Sequence, residues 1–128
     1  AELPGHAGDP SGDPDPVPAD HAIRGLFGVQ LWLADPAPTA ALLRDVFGFV
    51  PGAVDGATQR WLAPGEAAVG RVVDLRAVAG FWEGRDGPGA VHHVAFRAAD
   101  DGAEEALRGA VMRRGISTTR PLDRRYFR

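Results

Sequence analysis

The residues with the clearest capacity for chemistry are two adjacent histidines, His92 and His93, inside the run AVHHVAFRA. An imidazole can ligate a metal, carry a proton or hydrogen-bond a substrate. For His92 a packed or surface imidazole is the plainer reading. His93 reads equally as a ligand or as a satisfied histidine. One imidazole alone does not hold a metal, so further His or carboxylate ligands are needed. Asp74, Glu83 and Asp86 are the nearby carboxylates, and no pattern singles one out. Arg120, Arg124, Arg125 and Arg128 form a basic cluster near the C-terminal end. It suits either an anionic partner or the solvated edge of a strand.

Much other chemistry is excluded by composition. The chain has no cysteine, so disulfides, thiolate nucleophiles and Cys-based zinc sites are absent. All of its 14 basic residues are Arg, which removes Schiff-base, P-loop and kinase lysines. A net charge of −3 argues against general nucleic-acid binding. No apolar run approaches the roughly 18 residues of a membrane helix, and no secretory leader pattern opens the chain. A cytoplasmic setting is the expectation. The glycine-rich GRDGPG at 84–89 precedes a strand pattern rather than a helix, so it does not read as a phosphate loop.

The elements that must position the histidines follow from periodicity. With 128 residues and 45% hydrophobic content, one ordinary core can form. Residues 1–22 carry five prolines and four aspartates and read as a linker or tail. Phe27, Val29, Leu31 and Leu33 alternate with Gly28, Gln30 and Trp32, the pattern of a strand within 25–34. Asp35-Pro36 opens a helix whose apolar stripe is Thr39, Leu42, Leu43, Val46 and Phe47, and Gly48 ends it. Segments 49–54, 59–63 and 69–78 read as strands separated by turn residues. Trp61 and Trp82 read as packing residues, and Trp32 as either a pocket wall or core.

The pattern then restarts. Residues 90–98 alternate as a strand, Asp101 and Glu104 have capping-box spacing, and Ala103, Ala106, Leu107, Ala110 and Val111 form a helical stripe. Ile116 to Thr119 begins a further β segment. The two halves align at an offset of 65, pairing Val29 with Val94, Asp35 with Asp100 and Leu42 with Leu107. Two copies of one unit are implied: a β-α-β-β-β module over 23–86 and a partial one over 87–128. Alternation places Val94, Phe96 and Ala98 toward the helix side, His92 there or at the strand edge, and His93 on the opposite, concave side with Gly28, Gln30 and Trp32.

Tandem βαβββ units with a histidine on a first strand resemble the vicinal oxygen chelate superfamily, which includes glyoxalase I, bleomycin-resistance proteins and extradiol dioxygenases. PADHAIRGL, GPGAVHHVAFRAADD and PLDRRYFR resemble its ring-cleaving dioxygenases of hydroquinones and related diphenols. The resemblance implies an α+β fold of tandem βαβββ modules, with the second module truncated in this chain. It implies a dioxygenase using Fe(II), with Mn(II) as the other candidate, a small aromatic diphenol and O2. It assigns His93 as a metal ligand, and His92 and Arg124 as catalytic residues beside the substrate oxygen. The family's remaining His and Glu ligands fall outside this sequence, so metal binding by the chain alone should be weak or absent. A homo-oligomer is expected. The alternative is a non-catalytic binding module of the same superfamily.

Overall fold

The computed structural model describes residues 18, 21, 23, 25–65, 70–80, 82, 84–85 and 87–122. The alternating segment becomes β1 (Gly28–Leu33), and helix α1 follows (Ala37–Asp45). Its entry is set locally. The Asp35 carboxylate accepts the Ala37 N–H at 2.9 Å, and Pro36 occupies the capping position with backbone angles already helical. The exit uses Gly48 at φ +70, a conformation open to glycine at little cost. The chain reverses there, and the Phe49 N–H returns to the Leu43 carbonyl at 2.9 Å.

Three strands follow: β2 (Val50–Asp55), β3 (Thr58–Leu62) and β4 (Val72–Ala77). They build one sheet in the order β1-β4-β3-β2, with β1 parallel to β4 and the other pairs antiparallel. Pro51 is tolerated because β2 lies on the sheet edge. An irregularity between Pro51 and Val54 inserts one extra residue into β2. The carboxamide of Gln59 covers that site, donating to the Gly52 carbonyl at 3.0 Å.

One face of the sheet makes the core. Leu43, Phe49, Trp61, Val73 and Leu75 are buried, with Val29, Leu31, Leu33, Ala40 and Phe47 packed against them. Val29, Leu31 and Leu33 of the expected apolar face therefore pack on the core, whereas Phe27, expected with them, is 63% exposed with its ring 5.5 Å from the Arg60 guanidinium. The other face carries Gly28, Gln30 and Trp32 beside Val72, Asp74 and Arg76.

Beyond β4 the structure departs from the periodic pattern. Residues 91–98 belong to no ladder, and Ile116–Thr119 likewise form no strand. Alternation records which side chains suit a pleat. A strand also needs a neighbour for its backbone donors and acceptors, and among the described residues these segments have none. The helix of this half does form, as α2 (Asp101–Arg113). Its cap is Asp100 rather than Asp101: the Asp100 carboxylate accepts the Ala103 N–H at 2.8 Å. The expected stripe residues Ala103, Leu107, Ala110 and Val111 are only half-buried, and Ala106 is exposed. Two polar links hold α2 in place. Arg114 pairs with Asp45 at the end of α1, at 2.9 Å, and Arg108 donates to the Thr119 carbonyl at 3.0 Å. Trp82, expected to pack, is 90% exposed. Most of 1–22 lies outside the described residues, as do Glu83 and Asp86.

Candidate functional site

A cavity of about 570 Å³ lies beside the outer edge of β1. β1 contributes Val29, Gln30 and Leu31 to its wall, and the segment 91–96 contributes Val91, His92, His93, Val94 and Phe96. The segment is anchored at Phe96, whose ring packs at 5.2 Å from Phe47 and edge-on at 5.6 Å from Phe49. Phe96 thus reaches the core side, as alternation required. Its neighbours depart from alternation. In a regular strand His92 and His93 point to opposite faces. Here their Nδ1 atoms are 2.9 Å apart, with the rings at 90°. Freed from a ladder, the backbone lets both imidazoles converge at the cavity.

The donor set at the cavity is therefore a pair of imidazoles against largely apolar walls. Imidazole nitrogen suits borderline ions, iron among them, so His93 fits the role of one ligand to such an ion. Among the described residues no group of three His, Asp or Glu is close enough to hold a metal. Arg124, expected beside the substrate, lies outside the described residues.

Gln30 stands on the side of β1 where alternation places it with His93, though the sequence assigns it no role. It lines the cavity, and its Oε1 accepts the Trp32 indole N–H at 2.6 Å. The signal was its place on the polar side of β1. Trp32 turns toward the open sheet face, where the Arg76 guanidinium lies 5.3 Å from its ring centre. On the same face Arg60 and Asp74, cross-strand neighbours, make two parallel bonds of 2.8 Å. The hydrogen-bonded Arg60 guanidinium holds the Asp74 carboxyl below its usual range, against a smaller opposing effect of burial. Asp74 is thereby committed to an ion pair. It is not among the residues that line the cavity.

Three proteins of Bacillus subtilis (strain 168) resemble this chain: MhqO, MhqE and MhqA, each named as a putative ring-cleaving dioxygenase. Identity is 33% in each case, over 111, 120 and 119 residues, covering 87%, 89% and 88% of this chain. This chain is their relative over part of their length. It spans only 35%, 36% and 37% of the three proteins. The crystal structure of a dioxygenase-named protein of the same species superposes with a TM-score of 0.76 at 33% identity, over 87% of this chain and 35% of that one. An integron cassette protein from a sewage-outfall metagenome shares the fold at a TM-score of 0.58 and 22% identity, over 78% of each chain. No family model matches the chain. No described helix is long and apolar enough to cross a membrane.

Proposed function

We propose that this chain forms part of a metal-dependent ring-cleaving dioxygenase of the vicinal oxygen chelate type, acting on a diphenol or hydroquinone with O2. The observation that carries the reading is the placement of His93 on a largely apolar cavity, in a chain whose relatives are named for ring cleavage. The apolar side chains of Val29, Leu31 and Phe96 suit one face of an aromatic ring and exclude water from it. A neutral His93 supplies one ligand. His92, beside it, is in reach of a phenolic oxygen as a hydrogen-bonding group. Arg124, by resemblance, offers a guanidinium to the same oxygen as negative charge develops on it. Fe(II), when bound, supplies the path for electrons between ring and O2. The remaining ligands come from residues outside this sequence.

The test is oxygen uptake by the longer protein, loaded with Fe(II) and offered a series of hydroquinones and catechols. Uptake with ring-opened product is expected, and its loss in His93→Ala. The second reading is a binding module without catalysis, for which the largely apolar cavity alone suffices. It would show binding of the aromatic compound with no oxygen uptake and no dependence on metal.

A further inference from the structure

The carboxamide of Gln30 is fixed in one sense by its neighbour. Gln30 and Trp32 stand on the same side of β1, and the Trp32 indole N–H donates to the Gln30 carboxamide at 2.6 Å. An indole nitrogen only donates, so the atom facing it is the acceptor Oε1. Trp32 is steadied in turn by Arg76, its register partner on β4, whose guanidinium lies 5.3 Å from the ring centre. The carboxamide cannot flip without losing the indole bond. Gln30 therefore meets a ligand in the cavity with the N–H donors of Nε2. We propose that Gln30 selects the diphenol: its Nε2 donates a hydrogen bond to the ring oxygen para to the one at the histidines. The proposal rests on the reading of the cavity as a diphenol site and names the group that recognises the far oxygen.

The polar groups of the cavity come from both of its walls. His92 and His93 stand on the segment 91–96 and Gln30 on β1, and apolar side chains, Leu31 and Phe96 among them, supply the rest. An aromatic ring between such walls keeps its faces on apolar surface and turns its oxygens to polar groups. In a 1,4-diphenol one oxygen meets the histidine wall and the other the β1 wall. In a catechol both oxygens sit at one end, and the polar groups of the other wall are left facing carbon. Those groups lose water and gain no partner, which is how a site built to bond an oxygen rejects an analogue lacking it. The donor sense of Gln30 suits a ring oxygen that gains negative charge, where a carboxamide oxygen would repel it.

The experiment titrates hydroquinone, phenol and catechol separately into the 128-residue chain, free of metal and of air, and follows the ligand NMR signals. Hydroquinone is expected to bind about two- to tenfold more tightly than the other two, the worth of one neutral hydrogen bond. Gln30→Leu and Gln30→Val should each bring hydroquinone down to the affinity of phenol. Both should leave phenol itself unchanged, which shows the cavity intact. Trp32→Phe keeps an aromatic ring but removes the N–H, so the carboxamide is free to turn. The preference for hydroquinone should then narrow with phenol again unchanged, and a merely structural role of Trp32 would not confine the loss to one ligand. A preference that survives both Gln30 substitutions overturns the proposal and leaves the cavity as an aromatic site. An unaltered preference in Trp32→Phe overturns the positioning by Trp32. Equal binding of the three compounds by the starting chain overturns the selection by Gln30. Binding of none of them overturns the diphenol reading of the cavity, and this proposal with it.

Discussion

Gly28 lies so close to Val72 on the neighbouring strand that a β-carbon at Gly28 would sit 2.5 Å from the Val72 carbonyl oxygen and 2.6 Å from its β-carbon. The two residues are register partners in the parallel β1–β4 pair. The crowding is backbone against backbone, and no rotamer change relieves it. Gly28 is also the residue that the 65-residue offset pairs with His93. Space alone therefore bars any larger side chain, a ligand included, at position 28.

Gly28→Ala should accordingly destabilise the chain, although alanine ordinarily suits a strand better than glycine. The expected loss is at the upper end of the roughly 1–3 kcal/mol typical of overpacking. Urea unfolding of the two proteins measures it through the shift in midpoint. A neutral or stabilising effect would show that β1 and β4 do not approach this closely.

How much of this was legible in advance divides by the range of the interactions. The β1 alternation marked Val29, Leu31 and Leu33 as core-facing, and the same residues pack on Leu43 and Leu75. The helix signals before Ala37 and after Asp45 were legible because caps are local. What failed was non-local. The strand pattern over 90–98 holds in side-chain type, yet no described strand pairs with it. The convergence of His92 and His93 goes with that missing ladder: alternation alone sets neighbours on opposite faces, with the strand edge as the other place for His92. The Arg60–Asp74 pair spans 14 positions and becomes visible only when β3 and β4 are in register. His93 and Gln30 both line the cavity beside β1; alternation sets both on the polar side of a strand, but a glutamine on a strand carries no motif that would assign it a role.

The core makes a second prediction. Leu75 is 1% exposed and central to the cluster with Leu43, Trp61 and Val73. Leu75→Ala removes buried methyl groups and leaves a cavity, at a cost of about 2–5 kcal/mol. In a chain with one small core, that is a large fraction of total stability. Thermal melting should show a marked fall in midpoint, or loss of cooperative unfolding altogether. Ala106→Ser, on an exposed turn of α2, should leave the midpoint nearly unchanged.

The contact between the helices responds to acid. The Asp45 carboxyl is lowered to about 2, first by the hydrogen bond from Arg44 and then by that from Arg114. A carboxylate held below its unfolded value stabilises the folded state above about pH 4. That contribution is lost as pH falls through about 2, where the carboxyl protonates in the folded chain. Protection of the α2 amides, taken relative to their intrinsic exchange rate at each pH, should therefore fall over this window. Arg114→Ala should raise the Asp45 midpoint only in part, since Arg44 remains. Carbon-detected titration of the Asp45 carboxyl reads both effects, and an unchanged midpoint in Arg114→Ala would contradict the link between α1 and α2.

The outer edge of β1 is the basis of the last prediction. β1 ends the sheet order, so the backbone groups on its far side have no ladder partner among the described residues. The segment beside it, 91–98, belongs to no strand either. Such edges template pairing with another strand unless they are blocked by charge, proline or a bulge. β1 has none of these blocks: its residues are Gly, Val, Gln, Leu, Trp and Leu. Apolar surface lies close by, with Phe27 63% and Val91 81% exposed. The apolar stripe of α2 is only half covered. An association that pairs β1 with its counterpart in a second copy would satisfy the open backbone groups of both chains at once, by a two-fold contact. The 128-residue chain should therefore sediment as a dimer or larger species at micromolar concentration. Replacing Leu31 by lysine would place a charge at the edge and shift the distribution toward monomer. Because Leu31 also packs on the core, Gln30→Lys is the cleaner variant, since it changes an exposed side chain on the same strand. A monomer that melts sharply across the micromolar range would show that the edge is protected within the single chain.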